Sequence, residues 1–220
     1  MYEFYPESKK SFFEKHSINF FLVVLNILVF VVLGILYWMK IIPIDFFAIK
    51  PENIIQGKYL WTFLTSMFMH AGFFHIFANM ISLVFVGNLI EKIIGRKRYL
   101  GFYLISGLFA GAFYVLVSYL FNFDMQTYAV GASGALFGLV GVLMFLTPNL
   151  RVFMFFIPIP IKMKYAAPGM LLLLWLISVT AGLGIGNFAH LGGLIAGVCY
   201  GIYLRLKFPN KTGKISRYFS

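Results

Sequence analysis

Residues 165–204, YAAPGMLLLLWLISVTAGLGIGNFAHLGGLIAGVCYGIYL, run for 40 positions without a charged side chain. About 20 apolar residues are enough for one helix to cross a bilayer, so this window has room for two crossings. Its middle, Ala181-Gly182-Leu183-Gly184-Ile185-Gly186, is flexible enough to turn the chain round between them. Outward from this stretch, every other charge-free window fits a single crossing: 24 residues between Lys15 and Lys40, 32 between Lys58 and Glu91, 25 between Arg98 and Asp124, and 26 between Asp124 and Arg151. The sequence therefore reads as an all-α membrane protein with six transmembrane helices, one domain over residues 1–220 with short tails at about 1–16 and 206–220. A composition that is 61% hydrophobic and 11% charged excludes an ordinary soluble domain.

Lysine and arginine favour the cytoplasmic side when they flank membrane spans. Fifteen of the 18 lie on one side of the six-helix reading, leaving only Lys40, Lys50 and Lys58 on the other, balanced by Asp45, Glu52 and Asp124. Both termini are thus expected to be cytoplasmic, in a multi-pass protein of the cell membrane. Basic clusters at span ends are accounted for by insertion and by anionic headgroups, which argues against nucleic-acid binding. The lone Cys199 has no partner for an internal disulfide and reads as a small apolar side chain.

Two connections stand out. Residues 40–61 hold Pro43, Pro51, Gly57, Tyr59 and Trp61 among apolar neighbours, and read either as a segment lying in the membrane interface or as a partly buried linker. Residues 152–164, VFMFFIPIPIKMK, are apolar but broken by Pro158 and Pro160, and read as an interfacial connector on the cytoplasmic side.

No Asp, Glu, Lys or Arg falls well inside the six expected spans, so the polar side chains to explain are histidines, asparagines and hydroxyls. In expected helix 2, His75 and Asn79 are four residues apart and share a face. Hydrogen-bonded glue between helices and a functional pair both suit them. A metal site has little support: no carboxylate or thiol joins the histidines, and His70 and His75 are five apart. In expected helix 6, Gly193, Gly197 and Gly201 share a face with His190, and in expected helix 4, Ser133, Gly134, Phe137 and Gly141 share another. Small residues let membrane helices approach closely, so a contact between these grooves would bring Ser133 to His190. Both are expected a few residues below their outer turns, roughly 5 to 10 Å deep at 1.5 Å per residue. A serine, a base and extra donors are the parts of a serine hydrolase, and without a carboxylate at that depth the economical form is a Ser-His dyad.

At these residues the chain resembles the rhomboid family of intramembrane serine proteases. His70, His75 and Asn79 match the family's histidine and asparagine pattern in helix 2; Gly131, Ala132, Ser133 and Gly134 match its GxSG element; Ala189, His190 and Gly193 match AH-x-x-G; and Glu91 and Gly95 resemble its ExxxG element. The resemblance implies Ser133 as nucleophile, His190 as general base, and an oxyanion hole of the Ser133 backbone N–H with His75 and Asn79. It places Phe137 where the family has an aromatic ring stacked on the catalytic imidazole, and gives His70 a structural role in the outer loop. It implies a helix 5 and outer cap that move to admit substrate, with the glycines of 182–186 supplying mobility. Single-span membrane proteins are the implied substrates and the lipid bilayer the setting, with no cofactor or metal and with the oligomeric state unspecified. Where the family often has Trp-Arg this chain has Trp61-Thr62, so that arginine's loop contacts are missing or replaced. A catalytically silent, client-binding relative is the competing reading; a transporter is disfavoured by the lack of repeats and of intramembrane carboxylates.

Overall fold

A computed structural model describes residues 16–154, 157–182, 184 and 186–219. Helix α1 (Ile18–Trp38) starts where the Ser17 hydroxyl accepts the N–H of Phe20. Its first amides are also held from far along the chain, because the Glu91 carboxylate accepts the N–H groups of Ile18 (2.9 Å) and Asn19 (2.8 Å). A negative charge at a helix N-terminus meets the positive end of the peptide dipoles, so this contact both caps α1 and fixes it to the chain near residue 91. The outer segment that follows is a 3-10 turn (Ile44–Phe46) and two short helices, α2 (Pro51–Ile55) and α3 (Thr62–Thr65).

The second membrane helix starts later than the charge-free window suggests. Residues 66–72 are not helical, and α4 (Phe73–Ser82) continues through a π-helical turn (Leu83–Gly87) into α5 (Asn88–Ile94). The Asn19 amide donates to the Leu83 carbonyl in that turn (2.9 Å), and the Tyr99 hydroxyl donates to Asn19 Oδ1 (2.6 Å). A π-helical turn and a side chain bonded into the helical ladder are both sites where a helix bends, and here they coincide. Gly95 then reverses the chain at φ 84° into α6 (Arg96–Phe121).

The bundle is completed by α7 (Ser133–Leu146), α8 (Met163–Ala181), α9 (Asn187–Lys207) and α10 (Pro209–Tyr218). Among the described residues, five helices are long and apolar enough to cross a membrane: α1, the α4–α5 run, α6, α8 and α9. The sixth expected crossing, α7, has only 14 residues, which at 1.5 Å each is about 21 Å, against about 30 Å of hydrocarbon. Ten of those residues are buried, and α7 packs on α6, α8 and α9. A helix apolar all round and surrounded by others is a core element, so its length need not match the bilayer.

Two segments that the sequence left without a definite form take one here. The connector after α7 is a two-stranded antiparallel ribbon, β1 (Arg151–Met154) with β2 (Ile157–Lys162), pairing Arg151 with Lys162 and Val152 with Ile161. The alternation Ile157-Pro158-Ile159-Pro160-Ile161 suits an extended edge strand, where proline's missing donor is tolerated. The expected tail from 206 contains the last residues of α9 and the helix α10, separated by a bend at Phe208 (φ −132°, ψ 54°). Leu183, Ile185 and the N-terminal tail to residue 15 lie outside the described residues.

Candidate active site

Helices α7 and α9 meet through glycine. A Cβ placed on Gly193 would collide with the Gly134 carbonyl oxygen, and one on Gly197 with that of Gly138. In the other direction, a Cβ on Gly141 would lie 2.6 Å from the Leu194 oxygen. The backbones therefore touch directly, as the small-residue faces led one to expect, and the carbonyl ridge of one helix fills the groove of the other.

That contact sets the distance between the functional side chains. Ser133 is the first residue of α7 rather than lying a turn inside it, and His190 stands in the first turn of α9. Their side chains meet at 2.8 Å, Ser133 Oγ to His190 Nε2. For Nε2 to accept the hydroxyl proton, the ring proton must sit on Nδ1, which is buried and has no hydrogen-bond partner among the described residues. Among the described residues no carboxylate orients the ring from behind. Its support is instead the Phe137 ring, stacked at 4.7 Å between centroids and 23° between planes.

Gly131 shapes the space beside the serine. Its φ is 120°, a conformation that favours glycine, and its N–H donates to the Ser66 carbonyl (2.8 Å). The point a Cβ would occupy there is 2.8 Å from His75 Nε2 and 3.6 Å from Ser133 Oγ. Glycine leaves this point empty, so a small gap lies between the His75 imidazole and the nucleophile. His75 Nδ1 accepts the Ala71 N–H at 3.4 Å, which leaves Nε2 to carry the proton and makes it a donor toward the gap. The amides of the first turn of α7, Ser133's included, have no acceptor within the helix, and Ala132 supplies no capping side chain.

Asn79 is buried one turn below His75, but one of its amide hydrogens is already given to the His75 carbonyl (3.0 Å). His70 precedes α4, is buried, and packs edge-on against His75 (5.1 Å, 71°) and Phe30 (6.4 Å, 80°). Gly134 serves the helix contact through its carbonyl. Reading the residues alone missed two neighbours. Ser66 anchors Gly131, a backbone contact without a sequence signal, and Asn187 opens α9 with a buried Oδ1 that has no hydrogen-bond partner among the described residues, three residues before His190.

At the position after Trp61, the Thr62 hydroxyl is buried with no hydrogen-bond partner among the described residues, and the outer segment is held by other contacts. Thr62 is fully buried, Trp61 Nε1 donates to the Phe46 carbonyl (2.9 Å), and Thr65 donates to that of Phe47 (3.2 Å). Asp45 Oδ1 accepts from both Asn53 (2.6 Å) and Tyr128 (3.0 Å), and Ile49 pairs with Ala129 as an isolated bridge. The outer segment is thereby tied to the chain that leads into Gly131.

With this geometry in view, the comparisons decide the family. The family pattern described as the rhomboid domain matches residues 57–207. The chain belongs to the rhomboid family. It is 36% identical over 165 residues to RHOMBOID-like protein 1 of Arabidopsis thaliana, covering 73% of this chain and 38% of that protein. RHOMBOID-like protein 6, mitochondrial, of the same plant is 34% identical over 165 residues, covering 73% and 48%. Inactive RHOMBOID-like protein 8, also from that plant, is 30% identical over 148 residues, covering 66% and 38%. The chain spans less than half the length of these relatives. Its apolar helices and its family make it a multi-pass membrane protein, while a relative named as mitochondrial means that rhomboid membership alone does not specify the cell membrane.

Proposed function

We propose that this rhomboid protein is an intramembrane serine endopeptidase that cleaves single-span membrane proteins with a Ser133–His190 dyad. The observation that carries the reading is the 2.8 Å approach of Ser133 Oγ to His190 Nε2 on two helices locked by glycine. Nucleophile and base are within proton-transfer distance before any substrate arrives.

In this reading Ser133 Oγ attacks the scissile carbonyl carbon as its proton passes to His190 Nε2. The carbonyl oxygen becomes an oxyanion in the gap beside Gly131, taking hydrogen bonds from the Ser133 N–H, from His75 Nε2–H and from the second amide hydrogen of Asn79. Donors placed where charge develops contribute a few kcal/mol each to lowering a barrier, about 2.7–4 in measured cases. Collapse of the intermediate breaks the C–N bond, and His190 returns its proton to the departing amine. Water then enters, gives a proton to His190 and releases the acyl group, leaving Ser133 as it began. Phe137 offers the imidazolium a π-face, the stabilisation available to a ring that no carboxylate supports. With its basic flanks in the cytoplasm, the site would open toward the opposite side of the membrane, the cell membrane being the location we propose.

A fluorophosphonate probe on the detergent-purified chain tests the nucleophile directly. Wild type is expected to label and Ser133→Ala not to; equal labelling of both would refute the assignment. His190→Ala is expected to lower cleavage of a membrane-anchored reporter by at least about 10³-fold while the protein stays folded. A silent, client-binding protein would show neither activity nor labelling, and the relative named inactive makes that control necessary.

A further inference from the structure

The end of the bundle remote from Ser133 carries a feature that peptide hydrolysis does not use. Four lysines and arginines lie at the α5–α6 junction, three in or beside the β-ribbon, and five from the end of α9 through α10. Among the described residues, the carboxylate in these segments is Glu91, which is buried, caps α1 and pairs with Arg96 at 3.6 Å. Arg151 and Lys162 are direct partners across the ribbon, an arrangement of like charges that destabilises a strand pair unless an anion relieves it.

Helix α10 makes a site out of this charge. It folds back on α7 and α9, burying Thr212, while Lys211, Lys214 and Arg217 are exposed and fall within roughly 120° of arc at 100° per residue. Between α10 and the bundle is a cleft with Arg98 and Lys211 at its sides and apolar walls from Ile94, Leu204, Phe208 and Ile215. Phe208 sits beneath cations, with the Arg98 guanidinium 5.0 Å and Lys207 Nζ 5.9 Å from its ring centre. The cleft holds only about 50 Å³, too little for a whole lipid, so a ligand would lie across its mouth. Tyr218, 84% exposed, stands on the basic arc, as an interfacial aromatic does.

We infer that α10 and the α5–α6 junction form a binding site for an anionic phospholipid. The phosphate is held between Arg98 and Lys211, and the acyl chains lie along the apolar wall. Charge complementarity selects the occupant: a cationic rim on an apolar cleft at a membrane helix end matches a lipid with a negative headgroup. The site is read by binding, so it stands or falls independently of proteolysis.

Native mass spectrometry of the full chain in neutral detergent, with phosphatidylglycerol and phosphatidylcholine of identical acyl chains, tests it. Phosphatidylglycerol should be retained preferentially. A basic residue near an anionic surface is worth roughly fivefold in binding, so Arg98→Gln with Lys211→Gln should weaken retention about 25-fold. The charge-preserving pair Arg98→Lys with Lys211→Arg should retain most of it, as should Lys50→Gln with Lys58→Gln at the other end. Equal retention of the two lipids, or undiminished binding by the neutralised pair, overturns the proposal. So does an equal loss in the Lys50 and Lys58 variant, which would make net charge sufficient. Displacement of the lipid by millimolar inorganic phosphate would show a soluble-anion site and overturn the lipid assignment.

Discussion

Helices α9 and α8 neighbour one another and both reach toward the Ser133 end, yet they are held in opposite ways. Along α9, Gly193 and Gly197 meet backbone atoms of α7, while Gly192 and Gly201 are buried against the side chains of Phe113 and Phe145. Along α8 the buried residues are Met163, Ala166, Ala167 and Leu171, all in the first half. Beyond them Leu172, Leu176 and Val179 are 68%, 59% and 73% exposed, and one side contact at that end is the Trp175 ring edge-on to Phe188 at 5.1 Å. The difference separates two requirements. In the proposed reaction the dyad needs its groups fixed before substrate arrives, whereas a helical substrate would need an edge that can part.

The same substitution in each helix should give opposite results. Gly197→Ala puts a methyl group into the Gly138 carbonyl and 2.8 Å from Gly141 Cα, where neither backbone can yield. Overpacking of this kind costs about 1–3 kcal/mol, and a loss of about 3 kcal/mol is expected here. Gly169→Ala in α8 meets nothing within 4 Å and should instead stabilise by about 0.5–1 kcal/mol through helix propensity. Thermal unfolding in detergent reads both; a shared sign would end the distinction. Next in size is Phe137→Leu, which keeps most of the volume under His190 but removes the stacked ring. Cleavage should fall about tenfold, the equivalent of about 1.4 kcal/mol, with a smaller change in stability. An unaltered rate would remove Phe137 from the mechanism.

The fixed half of this contrast is legible in the sequence. Glycine spacing of 3.6-residue period placed Gly193 and Gly197 on the face of His190, and Ser133, Gly134 and Gly141 on one face of α7, because a groove repeats locally along one helix. The length of α7 could not be read that way. Residues 125–132 are uncharged like a span, but their backbone bonds go sideways to Ile49, Glu52 and Ser66, a non-local pairing that hydropathy does not register. The ribbon after α7 was hidden because its prolines break a helix visibly, while the period-2 isoleucines between them are few. For α10 the charges masked an amphipathic pattern resting on Thr212 and Ile215. The Glu91 cap on α1 joins residues more than 70 apart, and no local pattern announces it.

Trp175→Ala tests the loose half. An edge-to-face pair is worth about 0.5–1.5 kcal/mol, so removing it should shift α8 toward an open arrangement by up to roughly tenfold. Reporter cleavage should rise by a few-fold while the unfolding temperature changes little. A large fall in stability would show that α8 is as firmly held as α9, and the contrast would fail.

The outer segment lies between these extremes, and its hold depends on pH. Glu52 is exposed, and its carboxylate is kept below the ordinary value of 4.5 chiefly by the hydrogen bond from Gln126 (2.6 Å), with Lys50 assisting at 3.4 Å. A carboxyl group with a lowered folded value contributes fully above its unfolded value, and the contribution disappears as pH falls through the folded one. Neutral pH therefore leaves the tie intact. Hydrogen exchange at Ala129, whose N–H is bonded to the Ile49 carbonyl (2.8 Å), should keep constant protection from pH 8 to about 5, after correction for intrinsic rates, and lose a little below about 4. The change is small because an exposed pair is screened and because Asp45 holds the same segments through Asn53 and Tyr128. Glu52→Gln should lower protection slightly at neutral pH and flatten its acid dependence. If that variant and the wild type lose protection in parallel, Glu52 is not the tie, and the outer segment is held by its other contacts, the Asp45 hydrogen bonds and the Ile49–Ala129 bridge.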